Sequence, residues 1–361
     1  ADDPAGFPEP PHPAPGNRPG LPPRIYLSAP HLGEAEKAYL MQAVEENWVA
    51  PAGPFLTRFE EAFAEAFGLE NCVCLSSGTA AMHLALRLAG IGPGDEVLVS
   101  DMTFIATANP LLYERARPVF IDCEPQSWNL DPDLVGAVLA ERARAGRLPK
   151  ALIAAHVYGQ CARIEAIARH CAGHGVTLIE DAAEAVGATR HGAAAGTFGE
   201  YAVFSFNGNK MLTTGGGGML ATRNPDDALR ARHLASQARV PGPGWDHDEL
   251  GYNYRMSNVL AAIGLGQLEG LAARIERRRG LFERYRQALG DLPGLAWMPE
   301  CEGGRCTRWL TCLTLDPERA PVARDTLFQA LEGANIETRG LWTPLHLQTI
   351  YAGCAFHGSG Q

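Results

Sequence analysis

Short apolar runs alternate with amphipathic segments through the middle of the chain. The runs are almost continuously hydrophobic, which is typical of strands that are covered on both faces of a sheet. Strands that alternate with helices predict an α/β fold with a mixed, mostly parallel sheet and helices on both faces. The predicted strands are residues 72–75, 96–100, 118–122, 151–158, 176–181 and 201–206.

The segment after the first predicted strand has the period of an amphipathic helix. In GTAAMHLALRLAG the apolar residues recur at i, i+3, i+4 and i+7 from Ala81, and Gly90 is expected to end the helix. Ligands of such sheets bind beyond the carboxyl ends of the strands. The residues directly after each strand are therefore the first candidates for a functional site.

The two ends of the chain differ from its middle. Residues 1–24 are dense in Pro and Gly and predict a disordered leader. From Asn258 the chain becomes helical and charged, and a small α+β region with a predicted strand at 309–315 follows. The length fits two domains at roughly 150 residues each. We place a large domain at residues 25–260 and a small C-terminal domain at 261–361.

The composition of the chain argues against several functional classes of protein. The chain has 31 Lys+Arg against 41 Asp+Glu, a formal net charge of −10, which argues against a nucleic-acid binder and against docking on an anionic membrane. No apolar run approaches the roughly 20 residues of a membrane span. The nine cysteines form no C-x-x-C pair, so no metal site is expected. Without a recognisable secretory signal, a reducing, cytoplasmic setting is predicted.

Four strand ends carry candidate chemistry. Ser76-Ser77-Gly78-Thr79 opens the predicted helix, either as a plain N-cap or as an anion site, and it lacks the Rossmann and P-loop glycine patterns. Phe104 follows the second strand, where it belongs to the core or stacks on a flat ring.

Asp181 ends the fifth predicted strand, as an N-cap or as a carboxylate that holds a proton on a heterocyclic nitrogen. Lys210 follows the sixth strand, just before the four glycines 215–218. It is either a solvated lysine in a turn or an amine able to form a Schiff base. A phosphate cradle, a ring stacker, a carboxylate and a lysine at one sheet edge together match pyridoxal phosphate chemistry.

Six segments carry a family resemblance: SSGTAAMHLAL, DMTFIATAN, HVYGQ, EDAAEAVGA, FSFNGNKMLTTGGGGML and GYNYRMS. In order and spacing they resemble the DegT/DnrJ/EryC1/StrS family of nucleotide-sugar aminotransferases, from about Ile25 to nearly the end of the chain. The resemblance implies the aspartate-aminotransferase fold (fold type I), a homodimer with shared active sites, and amino transfer from an amino acid, usually glutamate, to a keto group of a nucleotide sugar.

The same resemblance implies roles for single residues. Lys210 resembles the Schiff-base lysine and proton-transfer base, Asp181 the carboxylate on the pyridine nitrogen, and Glu184 the neighbour of the ring hydroxyl. The other implied positions are Gly78, Thr79 and Ser205 at the phosphate, Phe104 on the ring, Asn253 reaching the phosphate across the dimer with Arg255 nearby, and Asn209 and His346 near the sugar nucleotide.

The segments NGNK and TTGGGGM refine the expected substrate. They are similar to the branch that makes the bacillosamine precursor, which predicts amino transfer to the 4-keto group of a UDP-linked 4-keto-6-deoxy-N-acetyl-hexosamine for surface glycan or glycoprotein sugars. Another 3- or 4-keto sugar aminotransferase, of perosamine or legionaminic acid type, and a catalytically silent sugar-nucleotide-binding homologue stay open. Lys210 argues against the family's dehydratases, which have His there. Relatives normally continue past PLHLQ, so whether the chain ends naturally or is a fragment also stays open.

Overall fold

An eight-stranded sheet forms the centre of the molecule. The computed structural model describes residues 22–358, so most of the predicted leader lies outside the described residues. The strands are Asn71–Leu75 (β1), Glu96–Ser100 (β2), Arg117–Ile121 (β3), Ala151–Ala155 (β4), Thr177–Asp181 (β5), Thr189–Arg190 (β6), Ala193–Ala194 (β7), Tyr201–Ser205 (β8), Gly218–Thr222 (β9), Leu295–Trp297 (β10), Gly304–Arg305 (β11), Leu313–Leu315 (β12) and Ala355–His357 (β13).

The helices cover both faces of this sheet, and the last three of them lie largely in the C-terminal region. They are Glu34–Glu45 (α1), Pro54–Phe67 (α2), Gly78–Leu88 (α3), Asn109–Tyr113 (α4), Pro132–Arg144 (α5), Ile164–His174 (α6), Pro225–Ala235 (α7), Asn258–Glu269 (α8), Leu271–Leu289 (α9) and Arg324–Gly333 (α10). None of the helices within residues 22–358 is long and apolar enough to cross a membrane.

The central sheet is mixed but mostly parallel, which confirms the predicted fold class. Its order is β1-β9-β8-β5-β4-β2-β3-β13, and β9 alone runs against its neighbours. Alternate side chains of the inner strands enter different cores. Val97 and Val99 of β2 pack with α3 on one face, and Leu98 packs with α5 and α6 on the other. Strands buried on both faces explain the continuous apolar runs.

The predicted helix after β1 is confirmed. α3 begins after Ser77, whose Oγ accepts a hydrogen bond from the Ala80 N–H at 3.0 Å. The predicted stop is also correct, because Gly90 lies just past the helix with φ +67°, a conformation that glycine adopts without steric cost. The face that includes Ala81 and Leu84 is buried in the core.

Two predicted strands are too long. The run 151–158 is a strand only to Ala155, because the chain then turns through a short 3₁₀ helix in which Tyr158 has φ +54°. The run 309–315 is a strand only from Leu313, because the chain bends at Trp309 and Leu310 and so leaves the extended conformation. Apolar composition did not distinguish buried loop from buried strand at either place.

The C-terminal region is joined to the large sheet in two ways. α8 packs against α1 and α2, and a Cβ on Gly266 would lie 2.6 Å from the Glu36 nitrogen, so glycine permits this close approach. β13 pairs in parallel with β3 at the edge of the sheet. The boundary near residue 260 falls in the first turn of α8, and the domain division stays a prediction.

Candidate active site

One open cleft lies at the carboxyl ends of β1, β2, β4, β5 and β8, where the topology predicts a ligand site. About 950 Å³ of empty space, part of it open to solvent, lies between its walls. Segments that are far apart in sequence bring most of the predicted site residues to its walls. These are Gly78, Thr79, Phe104, Asp181, Glu184, Ser205, Asn209 and Lys210.

The N-terminus of α3 forms one wall of the cleft. The Ser77 side chain caps only the Ala80 N–H, and the N–H groups of Gly78 and Thr79 have no acceptor among residues 22–358. A Cβ on Gly78 would lie 3.0 Å from the Cβ of Ser205, so glycine keeps this space open beside the serine hydroxyl. Free amides, a helix dipole and a hydroxyl suit a phosphate group.

Asp181 lies at the end of β5 and is buried in the wall of the cleft. Its Oδ1 accepts a hydrogen bond from the Ala183 N–H at 3.1 Å, and its Oδ2 accepts one from Thr107 Oγ1 at 2.7 Å. The N-cap alternative is wrong, because the chain after β5 forms turns and not a helix. A buried carboxylate with these donors suits a partner that carries a proton.

Lys210 is not the solvated lysine of a surface turn. Its side chain is only 11% exposed, and Nζ lies 3.8 Å from Glu184 Oε1 and 4.3 Å from the centre of the Trp309 ring. Trp309 Nε1 donates to the backbone oxygen of Asn209 at 2.7 Å, which fixes the backbone just before the lysine. The amine is therefore held in place inside the cleft.

The carboxyl group beside Lys210 has an altered proton affinity. Burial raises the pKa of Glu184 above its ordinary value, although the charge of Lys210 partly opposes this. Glu184 also accepts hydrogen bonds from the Tyr158 N–H at 2.9 Å and from Trp342 Nε1 at 3.2 Å. A carboxyl group so held can take up and return a proton near the lysine amine.

Phe104 is not a core residue, so the core alternative is wrong. Its side chain is 46% exposed and lines the cleft. The ring of Trp342 lies 5.2 Å away between centroids, tilted by 56°. Two aromatic rings at the cleft leave apolar surface on which a flat ligand can stack.

Three predicted site residues lie outside the cleft of their own chain. Asn253 is exposed, and Arg255 pairs with Glu60 at 3.2 Å. His346 Nδ1 lies 2.6 Å from Asp101 Oδ2. The structure does not bring these three to Lys210, and their roles stay predictions.

Several residues of the cleft were missed by the sequence analysis. Thr107 follows Thr103 by four positions within DMTFIATAN, so the two could have been placed together. His156 stands in HVYGQ, which gave the resemblance but no role. Trp309 and Trp342 come from irregular segments far along the chain, and no local pattern marks them.

Glu180, next to Asp181, is the most heavily hydrogen-bonded carboxylate beside the cleft. It is fully buried, with Oε2 accepting from His156 Nε2 and the Gly196 N–H, and Oε1 from the Phe198 and Gly199 N–H groups, at 2.7–2.9 Å. Burial alone would raise its pKa, but the hydrogen bonds from His156 and the backbone outweigh burial and lower it. The anion therefore fixes the chain around Asp181.

We expect Glu180→Gln to lower the free energy of unfolding of the apoprotein by about 3 kcal/mol, because an amide turns N–H groups toward buried donors. Because the pKa of Glu180 is lower in the folded protein than its ordinary value of 4.5, its charge stabilises the folded state at pH values above 4.5. This stabilisation is lost as the pH falls through the lowered pKa. Urea unfolding from pH 7 to pH 3 should therefore show the two proteins converging. Glu283→Gln on exposed α9 is the control, with a change under about 0.5 kcal/mol. Equal effects of the two substitutions would contradict this role.

The chain matches known proteins along nearly its whole length. The sequence profile of the DegT/DnrJ/EryC1/StrS aminotransferase family matches residues 30–360. The chain is 48% identical over 334 residues to EpsN of Bacillus subtilis, named as a pyridoxal phosphate-dependent aminotransferase, with 92% of this chain and 85% of EpsN covered. It is 38% identical over 331 residues to a GDP-perosamine synthase of Caulobacter vibrioides, with 91% and 87% covered.

A solved structure extends the likeness to three dimensions. The aminotransferase TlmJ from Streptoalloteichus hindustanus superposes with a TM-score of 0.83 at 35% identity. The match covers 91% of this chain and 87% of TlmJ. Every element that lines the cleft falls within residues 30–360.

Proposed function

The chain belongs to the DegT/DnrJ/EryC1/StrS aminotransferase family and is a pyridoxal phosphate-dependent sugar aminotransferase, and from this we propose its substrates. We propose that it moves an amino group from glutamate to the 4-keto group of a UDP-linked 4-keto-6-deoxy-N-acetyl-hexosamine. The product would serve the synthesis of surface glycans or glycoprotein sugars.

The proposal rests on one observation. The same cleft contains Lys210, Glu184 and Asp181 beside the free amides of α3. The residues fit pyridoxal phosphate, since the cleft offers separate partners for an anion, an aromatic ring and a protonated nitrogen. We infer that Gly78, Thr79 and Ser205 hold the phosphate. Phe104 would offer a stacking surface for the ring, and Asp181 would hold the proton of the ring nitrogen.

The protein's own groups divide the work of amino transfer. When bound, pyridoxal phosphate supplies an aldehyde that accepts the amino group and a protonated ring that withdraws electrons from the reacting carbon. Asp181 would hold the proton on the ring nitrogen, because hydrogen bonds from Thr107 and from the Ala183 N–H fix its carboxylate at the wall of the cleft. Nζ of Lys210 takes up and returns the moving proton, and Glu184 lies within 3.8 Å of this amine.

Two observations support the choice of a 4-keto sugar. Asn209 lines the cleft directly before Lys210, in the NGNK segment that resembles the bacillosamine branch. One relative, 34% identical over 345 residues, is named as a 4-aminotransferase of a dTDP-linked 4-dehydro sugar, and another, 38% identical, as a GDP-perosamine synthase. The latter relative makes a GDP-linked 4-keto-6-deoxyhexose the second candidate.

A substrate panel tests this choice. The protein is incubated with pyridoxal phosphate, glutamate and a set of UDP-, GDP- and dTDP-linked 4-keto sugars, and products are identified by mass spectrometry. We expect the amino sugar to form fastest from the UDP-linked N-acetyl-hexosamine. Preferred turnover of the GDP-linked sugar would contradict the proposal and favour the perosamine type. Glutamate is tested against other amino acids in the same assay.

We further propose a homodimer in which Asn253 of one subunit completes the phosphate site of the other. Asn253 is exposed and outside its own cleft, yet Tyr254 next to it accepts a hydrogen bond from the Ser76 N–H at the cleft wall, at 2.7 Å. Leu250 and Trp245, three and eight positions before it in the chain, are 68% and 78% exposed. Exposed apolar side chains in the same segment as a polar residue suit a subunit interface.

Complementation between inactive variants tests the shared site. Lys210→Ala and Asn253→Asp are expected to be inactive alone, since one lacks the amine and the other adds a negative charge beside the phosphate. Mixed under conditions of subunit exchange, they should form heterodimers with one intact site and recover up to about a quarter of wild-type activity, if half the dimers are mixed. The absence of recovery, with exchange shown by differently tagged chains, would rule out a site shared between subunits.

A further inference from the structure

A chain of buried hydroxyl groups leads to the carboxylate of Asp181. Thr107 Oγ1 lies 2.7 Å from Asp181 Oδ2, and Thr103 Oγ1 lies 2.8 Å from Thr107 Oγ1. Thr103 is 4% exposed and Thr107 is 1% exposed. Neither hydroxyl is needed to bind the cofactor directly in the roles assigned above.

The chemistry of the groups fixes the direction of this chain. An ionised carboxylate only accepts hydrogen bonds, so the single hydroxyl proton of Thr107 is donated to Asp181. Thr107 then has no proton left for Thr103, and the Thr103 hydroxyl must donate to Thr107. Each donation polarises the next, and the low dielectric of a buried site strengthens the effect.

The same short segment places the ring stacker. Thr107 N–H donates to the Phe104 backbone oxygen at 3.0 Å, so Phe104 and Thr107 belong to one turn after β2. β5, which ends in Asp181, is separated from β2 by β4 in the sheet. The Thr107–Asp181 bond therefore crosses over the end of β4 and joins the stacking segment to the carboxylate.

We propose that Thr107 is a positioning residue for Asp181, with Thr103 orienting its hydroxyl. The hydrogen bond fixes the direction in which the free lone pairs of Asp181 point. This inference rests on the proposed role of Asp181 at the ring nitrogen. A charge that is oriented before substrate arrives stabilises the electron-poor ring in the transition state more than it aids substrate binding.

The test compares Thr107→Val, which keeps the shape and removes the hydroxyl, with Thr107→Ser, which restores a hydroxyl. We expect Thr107→Val to lower kcat by about 10- to 100-fold, the range for a hydrogen bond to a charged group, with KM changed by less than about threefold. Thr107→Ser should recover most of the loss. Thr103→Val should lower kcat by about three- to tenfold, since it removes only the orienting bond.

A second readout does not depend on turnover. The dissociation constant of pyridoxal phosphate, measured by quenching of tryptophan fluorescence in the apoprotein, should rise by about tenfold in Thr107→Val and recover in Thr107→Ser. Thr189→Val, a half-buried threonine outside the cleft, is the control and should change neither quantity. Thermal unfolding shows whether each variant folds. If Thr107→Val does not fold, Thr103→Val replaces it in both measurements.

The outcomes separate this inference from the role of Asp181 itself. The inference would be overturned if folded Thr107→Val kept its kcat and cofactor affinity while Asp181→Asn was inactive. If Thr107→Val does not fold, the same result in Thr103→Val would overturn it. In either case the role of Asp181 would stand. An active Asp181→Asn would overturn both. Equal losses in Thr107→Val and Thr107→Ser would also overturn it, because they would show that side-chain volume and not the hydroxyl matters.

Discussion

Lys210→Ala is expected to reduce amino transfer by about four orders of magnitude or more while leaving the fold intact, because it removes both the covalent attachment point and the proton-transfer base. Nζ of Lys210 lies in the cleft near Glu184 and over the ring of Trp309. No other lysine lines the cleft within residues 22–358. Steady-state turnover, with circular dichroism for the fold, measures the effect.

The chain offers an unusually clean check of this assignment. It has only three lysines, Lys37, Lys150 and Lys210. Borohydride treatment of the yellow holoenzyme should bleach its colour and attach the cofactor to the peptide that contains Lys210, as mass spectrometry can show. Lys37→Ala, which changes an exposed side chain of α1, is the matched control and should keep wild-type turnover. Turnover near wild type in Lys210→Ala would refute the assignment.

Asp181→Asn is expected to lower kcat by about 10²- to 10³-fold with little change in KM. The amide oxygen can still accept the bond from the Ala183 N–H, so the local turn persists. The NH2 group then takes the place of Oδ2 and donates to the Thr107 hydroxyl, which accepts instead of donating. The substitution removes the negative charge that favours a protonated ring nitrogen. This raises the free energy of the transition state more than that of the bound substrate.

A second aspartate gives the matched control for this substitution. Asp131 caps α5 by accepting bonds from the Asp133 and Leu134 N–H groups, and asparagine caps a helix about as well as aspartate. Asp131→Asn should therefore keep normal activity. If Asp181→Asn were equally harmless, Asp181 would have only a local structural role.

The sequence predicts the fold well because strands buried on both faces have a local signature. A strand such as β2 is recognisable from its own five residues. The candidate functional residues are then those that directly follow each strand, at the carboxyl edge of the sheet. Asp181 and Lys210 were predicted in this way, and both line the cleft. Patterns of this kind are less informative where the chain is buried but irregular, as at Tyr158 and Trp309.

Contacts between distant segments escape such reasoning. The bond from Thr107 to Asp181 joins residues 74 positions apart, and that from Trp342 to Glu184 joins residues 158 positions apart. Neither segment alone indicates the other, because the sheet order decides which strand ends are neighbours. The role of Asn253 depends on a second subunit and stays a prediction.

The one antiparallel strand of the sheet has a consequence for how the protein folds. β9 lies between β1 and β8 and is bonded to both, and contacts such as Cys74 to Met219 span 145 positions of the chain. A Cβ on Gly218 would lie 2.5 Å from the Gly78 nitrogen, so β9 also presses against the start of α3. Closing so long a loop is slow. The lysine and the phosphate cradle therefore come together only when β9 is inserted, and during refolding the ability to bind cofactor should appear with the slowest phase.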